Sequence, residues 1–118
     1  MKSLGFLAIF FLLTALLPGG FHPVQAAENV TVYGEYLTDS SGYDYGADFY
    51  VDSSVGEEIY VSPYIVTQEN VNGSLISGVL ILQPYEKHIR IGSFISRDRS
   101  KAWSVSVGAK WKATAERP

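Results

Sequence analysis

From Trp103 to Lys112 the side chains alternate without exception. Trp103, Val105, Val107, Ala109 and Trp111 share one face, and Ser104, Ser106, Gly108, Lys110 and Lys112 share the other. An extended strand sends successive side chains to opposite sides, whereas a helix would scatter these apolar residues around its axis. Residues 43 to 52 repeat the pattern. Tyr43, Tyr45, Ala47, Phe49 and Val51 oppose Asp44, Gly46, Asp48, Tyr50 and Asp52. Residues 29 to 38 alternate less cleanly, with Val30, Val32 and Tyr36 on one side. Residues 88 to 97 place Ile89, Ile91 and Ile95 on one face and Arg90 and Phe94 on the other.

Two further segments read as strands on other grounds. Leu75 to Leu82 is apolar on both faces, which suits a strand covered on both sides. Residues 57 to 67 contain Pro63, which donates no ladder hydrogen bond, so this strand is expected at an edge or bent there. The connections are short and rich in turn formers: Asp39-Ser40-Ser41-Gly42, Asp52-Ser53-Ser54, Pro84 to Lys87 and Asp98-Arg99-Ser100. Asn72-Gly73 is the strongest hairpin signal. Short connections favour antiparallel neighbours. The expected fold is all-β: a small antiparallel six-stranded meander, forming a β-sandwich or a small barrel.

Residues 1 to 26 have the layout of a cleaved signal peptide. Lys2 supplies the positive start, and Leu4 to Leu17 is apolar except for Gly5 and Thr14. Pro18-Gly19-Gly20 interrupts the run, and Val24-Gln25-Ala26 offers a peptidase site after Ala26. The apolar run is shorter than the roughly 20 residues that span a bilayer as a helix. Residues 27 to 118 then form one all-β domain, with residues 113 to 118 expected as a frayed tail. The chain contains no cysteine. A small exported domain without disulfides points to a bacterial product, secreted or periplasmic, with the outer membrane as the alternative location. The sequons at Asn29 and Asn72 matter only in a eukaryotic secretory pathway.

Charge divides the mature region sharply. Residues 27 to 86 hold ten acids and no Lys or Arg, while residues 87 to 118 hold eight bases and two acids. The polar strand faces carry Asp44, Asp48 and Asp52 on one side of this divide, and Arg90, Lys110 and Lys112 on the other. These six residues are the candidate interaction surface, within one chain or between chains head to tail. Such exposed pairs contribute only about 0–1 kcal/mol each, so they act on register and partner choice more than on stability.

The same residues argue against several activities. No cysteine is present to act as a nucleophile, His88 is the single histidine after residue 26, and there is no Gly-x-Ser-x-Gly elbow. Glu57 and Glu58 are adjacent, so on a strand they point apart. Carboxylates four residues apart on a strand lie roughly 13 Å apart, too far for one strand to cage calcium. Neither a catalytic residue, a cofactor nor a metal is expected. Nucleic acid is not an expected partner, because Trp103 and Trp111 face away from Lys110 and Lys112, and the acidic part repels phosphate.

The expected function is therefore an exported, non-enzymatic β-sandwich that binds a protein or envelope partner, or assembles with itself. The alternative is a membrane-active protein, either a secreted antimicrobial or toxin-like protein or a small oligomeric outer-membrane β-barrel. The aromatic-ended stripe of residues 103 to 111 fits a lipid-facing strand. However, six strands fall short of the at least about eight of a single-chain barrel.

Overall fold

The computed structural model describes residues 29 to 114, together with the backbone of residues 7 to 15 and 26 to 27. It is all-β and antiparallel. The strands are β1 (Leu7–Ala15), β2 (Ala26–Ala27), β3 (Val30–Thr38), β4 (Asp44–Ser53), β5 (Ile59–Glu69), β6 (Val71–Leu75), β7 (Leu80–Leu82), β8 (Ile89–Ser96) and β9 (Trp103–Ala113). They form two sheets, ordered β1-β9-β5-β7 and β2-β3-β4-β8-β6. The proposed peptidase site lies outside the described residues except for Ala26.

The two sheets face each other across one core. The apolar stripe of β9 points into it, with Trp103, Val105, Val107 and Ala109 buried. Phe49 of β4 meets Phe94 of β8 edge to face, with ring centroids 5.9 Å apart. Tyr36 of β3 meets Trp103 across the sheets in the same way, also at 5.9 Å. The Trp103 indole N–H donates to the Asp44 carbonyl at 3.0 Å, so this buried ring leaves no donor unsatisfied. Burying side chains of this size stabilises by roughly 1.5–3 kcal/mol each, before the cost of ordering the chain is counted.

Seven strands, not six, lie among residues 29 to 114, and they do not form a meander. Only β3 and β4 pair as consecutive neighbours there. Successive strands otherwise cross between sheets: β4 to β5, β5 to β6, β6 to β7, β7 to β8 and β8 to β9. A short connection does not force pairing, because a few residues also span the roughly 10 Å between packed sheets. The turns at 84 to 87 and 98 to 100 are bridges of this kind, not hairpins.

The apolar segment 75 to 82 is not one doubly covered strand. It divides into the end of β6, a link with Gly78 at φ +86°, and the short β7. Ile76, Val79 and Ile81 are left exposed. Asn72-Gly73 is not a turn either. It lies within β6, where Gly73 faces Phe94 of β8. A Cβ on Gly73 would sit 2.1 Å from the Ser93 carbonyl oxygen, so this glycine permits close approach of two strands. The actual turn residue is Asn70, in the left-handed region at φ 58°. Its side chain donates to the Asp98 and Ala102 carbonyls at 2.9 and 3.1 Å and accepts from the Asp98 amide at 3.0 Å.

Pro63 sits where the expectation allowed. β7 covers β5 only from Ile59 to Val61, so Pro63 lies just beyond, on an uncovered stretch. The face assignment of β8 fails in its second half. A register shift opposite Phe49/Tyr50 leaves Ile91 as an extra residue. Beyond it the faces exchange: Phe94 is buried and Ile95 is exposed. At the C-terminus, Ala113 still belongs to β9 and the Thr114 amide donates to the Glu58 carbonyl at 3.1 Å. The rest of the expected tail, residues 115 to 118, lies outside the described residues.

Candidate functional site on the outer face of the five-stranded sheet

The hairpin β3–β4 and strand β8 present three outward rows. Tyr33 pairs with Tyr50, and Tyr50 with Arg90. Glu35 pairs with Asp48, Asp48 with Ser93, and Ser93 with Ser74 of β6. Thr31 pairs with Asp52, whose carboxylate reaches the residue before β8, His88. Alternation dictates this composition: Val32, Phe49 and Val51 turn inward, so their neighbours turn outward.

The rings form one cluster. Tyr33 stacks on Tyr50 with centroids 5.6 Å apart. Tyr50 stacks on the His88 imidazole at 4.0 Å, with an interplanar angle of 11°. His88 has φ 58°, a left-handed conformation that costs energy for any residue but glycine. Two contacts hold it there. Its amide donates to Asp52 Oδ1 at 2.7 Å, and its ring lies on Tyr50. The Tyr33 hydroxyl lies 2.9 Å from His88 Nδ1 and donates to Asp52 Oδ1 at 3.2 Å. Burial, followed by the charge of Asp52 and the hydrogen bond to it, pushes the Tyr33 phenol far above its ordinary value. The shift favours the protonated phenol, which donates to Asp52. Burial and the Asp48 carboxylate raise Tyr50 as well, while Arg90 partly opposes the shift.

Asp48 is the polar hub. It accepts from the Ser93 hydroxyl at 2.6 Å and lies 3.9 Å from the Arg90 guanidinium. Arg90 is 61% exposed and Asp48 15%, so the pair is anchored on the acid and open on the base. Beside it, an open cleft of about 340 Å³ is lined by residues of the paired strands β6 and β8, among them Ser74, Leu75, Arg90 and Ser93, and by Ile76 just beyond β6. A stacked aromatic group, a partly solvated guanidinium, hydroxyls and a shallow cleft therefore adjoin one another.

Of the candidate interaction residues, the fold brings together Asp48, Asp52 and Arg90. Asp44 does not join them. It is buried at the start of β4 and accepts from the Thr38 hydroxyl at 2.7 Å. Lys110 and Lys112 belong to the other sheet, on β9. Among the described residues, Asp48–Arg90 and Asp39–Arg99 bridge the charge divide within the chain. At the second, the guanidinium also lies 4.5 Å from the Tyr43 ring centroid, tying the 39–42 turn to the 98–100 turn. The sequence reading missed Tyr33, Glu35, Tyr50, His88 and Ser93 as members of one face. The available signal was that both tyrosines occupy polar positions in alternating strands. Their pairing was hidden by the register shift between Leu37 and Thr38.

Among the described residues, no group of three or more His, Asp or Glu side chains is placed to hold a metal ion. Comparison with protein-family models, with curated proteins and with solved structures gives no match.

Proposed function

We propose that this chain is an exported, non-enzymatic β-sandwich that acts by binding an envelope partner, and that the outer face of the five-stranded sheet is its recognition surface. The observation that carries this reading is the Tyr33–Tyr50–His88 stack lying beside the Asp48–Arg90–Ser93 group and its cleft. Stacked rings offer apolar area that is already ordered, and Arg90 offers donors that point outward. A partner with flat faces and polar groups gains from both without paying to order long side chains. The chemistry supports recognition over catalysis: the Tyr33 proton is held, and Asp52 is engaged by Tyr33 and by the His88 amide. Export is supported by the leader-like residues 1 to 26. The inward-facing β9 stripe supports a protein core on that side over a lipid contact.

The test is co-sedimentation of the exported protein with envelopes of the expressing bacteria. Wild type should sediment with them, and Tyr50→Ala combined with Arg90→Ala should lose at least about tenfold in affinity while keeping its melting temperature within a few degrees. Equal retention of the two proteins, or none of either, would remove this face as the recognition surface.

A further inference from the structure

Residues 7 to 15 have a definite seat. As β1 they run antiparallel to β9 and pair with it over nine consecutive positions, from Leu7↔Trp111 to Ala15↔Trp103. β1 also lies against β3, the strand of the opposite sheet that buries Val30 and Val32 in the core. It therefore closes the sandwich on that flank, between β9 and β3. Under the export reading this segment is removed with the leader. β9 is then bonded to β5 alone, and the flank beside it stands open. An open edge of this length is a template for another strand.

The composition of the flank says what closes it. β9 carries no charge from Trp103 to Ala109, and β3 none from Val30 to Gly34. The segment seated there is also free of charge from Leu7 to Ala15. Its register divides it into two sets. Leu7, Ile9, Phe11 and Leu13 stand opposite Trp111, Ala109, Val107 and Val105, the row of β9 that turns to the core. Ala8, Phe10, Leu12 and Thr14 stand opposite Lys110, Gly108, Ser106 and Ser104, the outward row. Residues directly opposite in a sheet share a face. A strand that closes this flank must then be apolar at alternate positions, and the positions between them are free to be polar. Main-chain groups of β9 supply the affinity, and the alternate positions supply the selection. Every strand described after Ala27 already belongs to one of the two sheets, in this chain as in any second copy, which leaves the closing strand to another protein.

We propose that the processed chain is a strand acceptor. Its β9 edge takes, antiparallel and against β3, an extended segment of another exported protein that has apolar residues at alternate positions. This rests on the export reading, and the test separates the two.

The probe is a synthetic peptide of residues 7 to 15 with two lysines added at each end for solubility. Chain recovered outside an exporting bacterium is first identified by intact mass, then titrated with the peptide by calorimetry. Chain lacking the leader should bind one peptide, melt at least about 5 °C higher when saturated, and gain slow hydrogen exchange in residues 103 to 111. Phe11→Asp with Leu13→Asp in the peptide should weaken binding at least about hundredfold, because both charges meet the buried row. Phe10→Asp with Leu12→Asp should stay within about tenfold of the parent peptide, because both stand opposite the outward row. The full chain made without export, whose own β1 holds the place, should take no peptide. No binding by the processed chain, equal losses from the two variant peptides, or equal binding by the full chain overturns the proposal alone. So does a processed chain that light scattering shows to be a dimer the peptide does not dissociate, since a second copy then closes the flank. A recovered chain still carrying Met1 overturns the proposal together with the export reading.

Discussion

At the scale of single residues, burial and neighbouring carboxylates raise the phenols of Tyr33, Tyr36 and Tyr50. Tyr36 packs against Trp103, and burial followed by the Asp44 carboxylate raises it from 10.0 to about 12. A folded-state value above the unfolded one means that the stability linked to Tyr36 is complete below pH 10.0 and is lost as pH rises toward about 12. Melting followed across that interval should fall more steeply for wild type than for Tyr36→Phe, which keeps the ring against Trp103 and removes the ionisable proton. Equal slopes would show that Tyr36 carries no such linkage. Residue identity was also where the sequence was most readable. Asp48, Asp52 and Arg90 stood out as polar positions on strands, and the fold brings them to one face. Asp44 has the same spacing but is buried, because the register shift at Leu37/Thr38 changes its neighbours. His88 gave no signal, since its role depends on a left-handed backbone and on Asp52, 36 residues away.

At the scale of elements, strict alternation was decisive wherever no bulge intervened. In β9 the inward set Trp103, Val105, Val107 and Ala109 is buried, while Ser104 and Ser106 are half-buried opposite. Val107→Asp places an unpaired charge in the core and should cost about 3 kcal/mol or more. Ser106→Asp, one residue away, should cost no more than about 1 kcal/mol. Urea denaturation of both variants measures this directly, and similar losses would mean that the two faces are exchanged. β8 shows the limit of the same reasoning. One extra residue at Ile91 sends Phe94 inward and Ile95 outward, and nothing in the run Ile89-Arg90-Ile91-Gly92 marks it. Neither could the crossovers be read from loop length. Asn72-Gly73 looked like a turn because glycine serves turns and close strand approach equally well; Asn70, one residue beyond β5, makes the turn.

At the scale of the whole molecule, the acidic and the basic part meet within the chain at the described pairs. Asp48–Arg90 and Asp39–Arg99 join the parts, yet β3 keeps Glu35 and β9 keeps Lys110 on separate sheets. The proposal of export and of action by contact rests on the leader-like composition of residues 1 to 26 and on the aromatic face of the five-stranded sheet. The most direct test is fractionation of bacteria expressing the full chain, with the N-terminus of the recovered protein determined. The account predicts soluble or salt-extractable protein outside the cytoplasm that begins at or beside Ala27. Protein that retains Met1, or that is recovered only in detergent and shifts its gel mobility on heating, would contradict it.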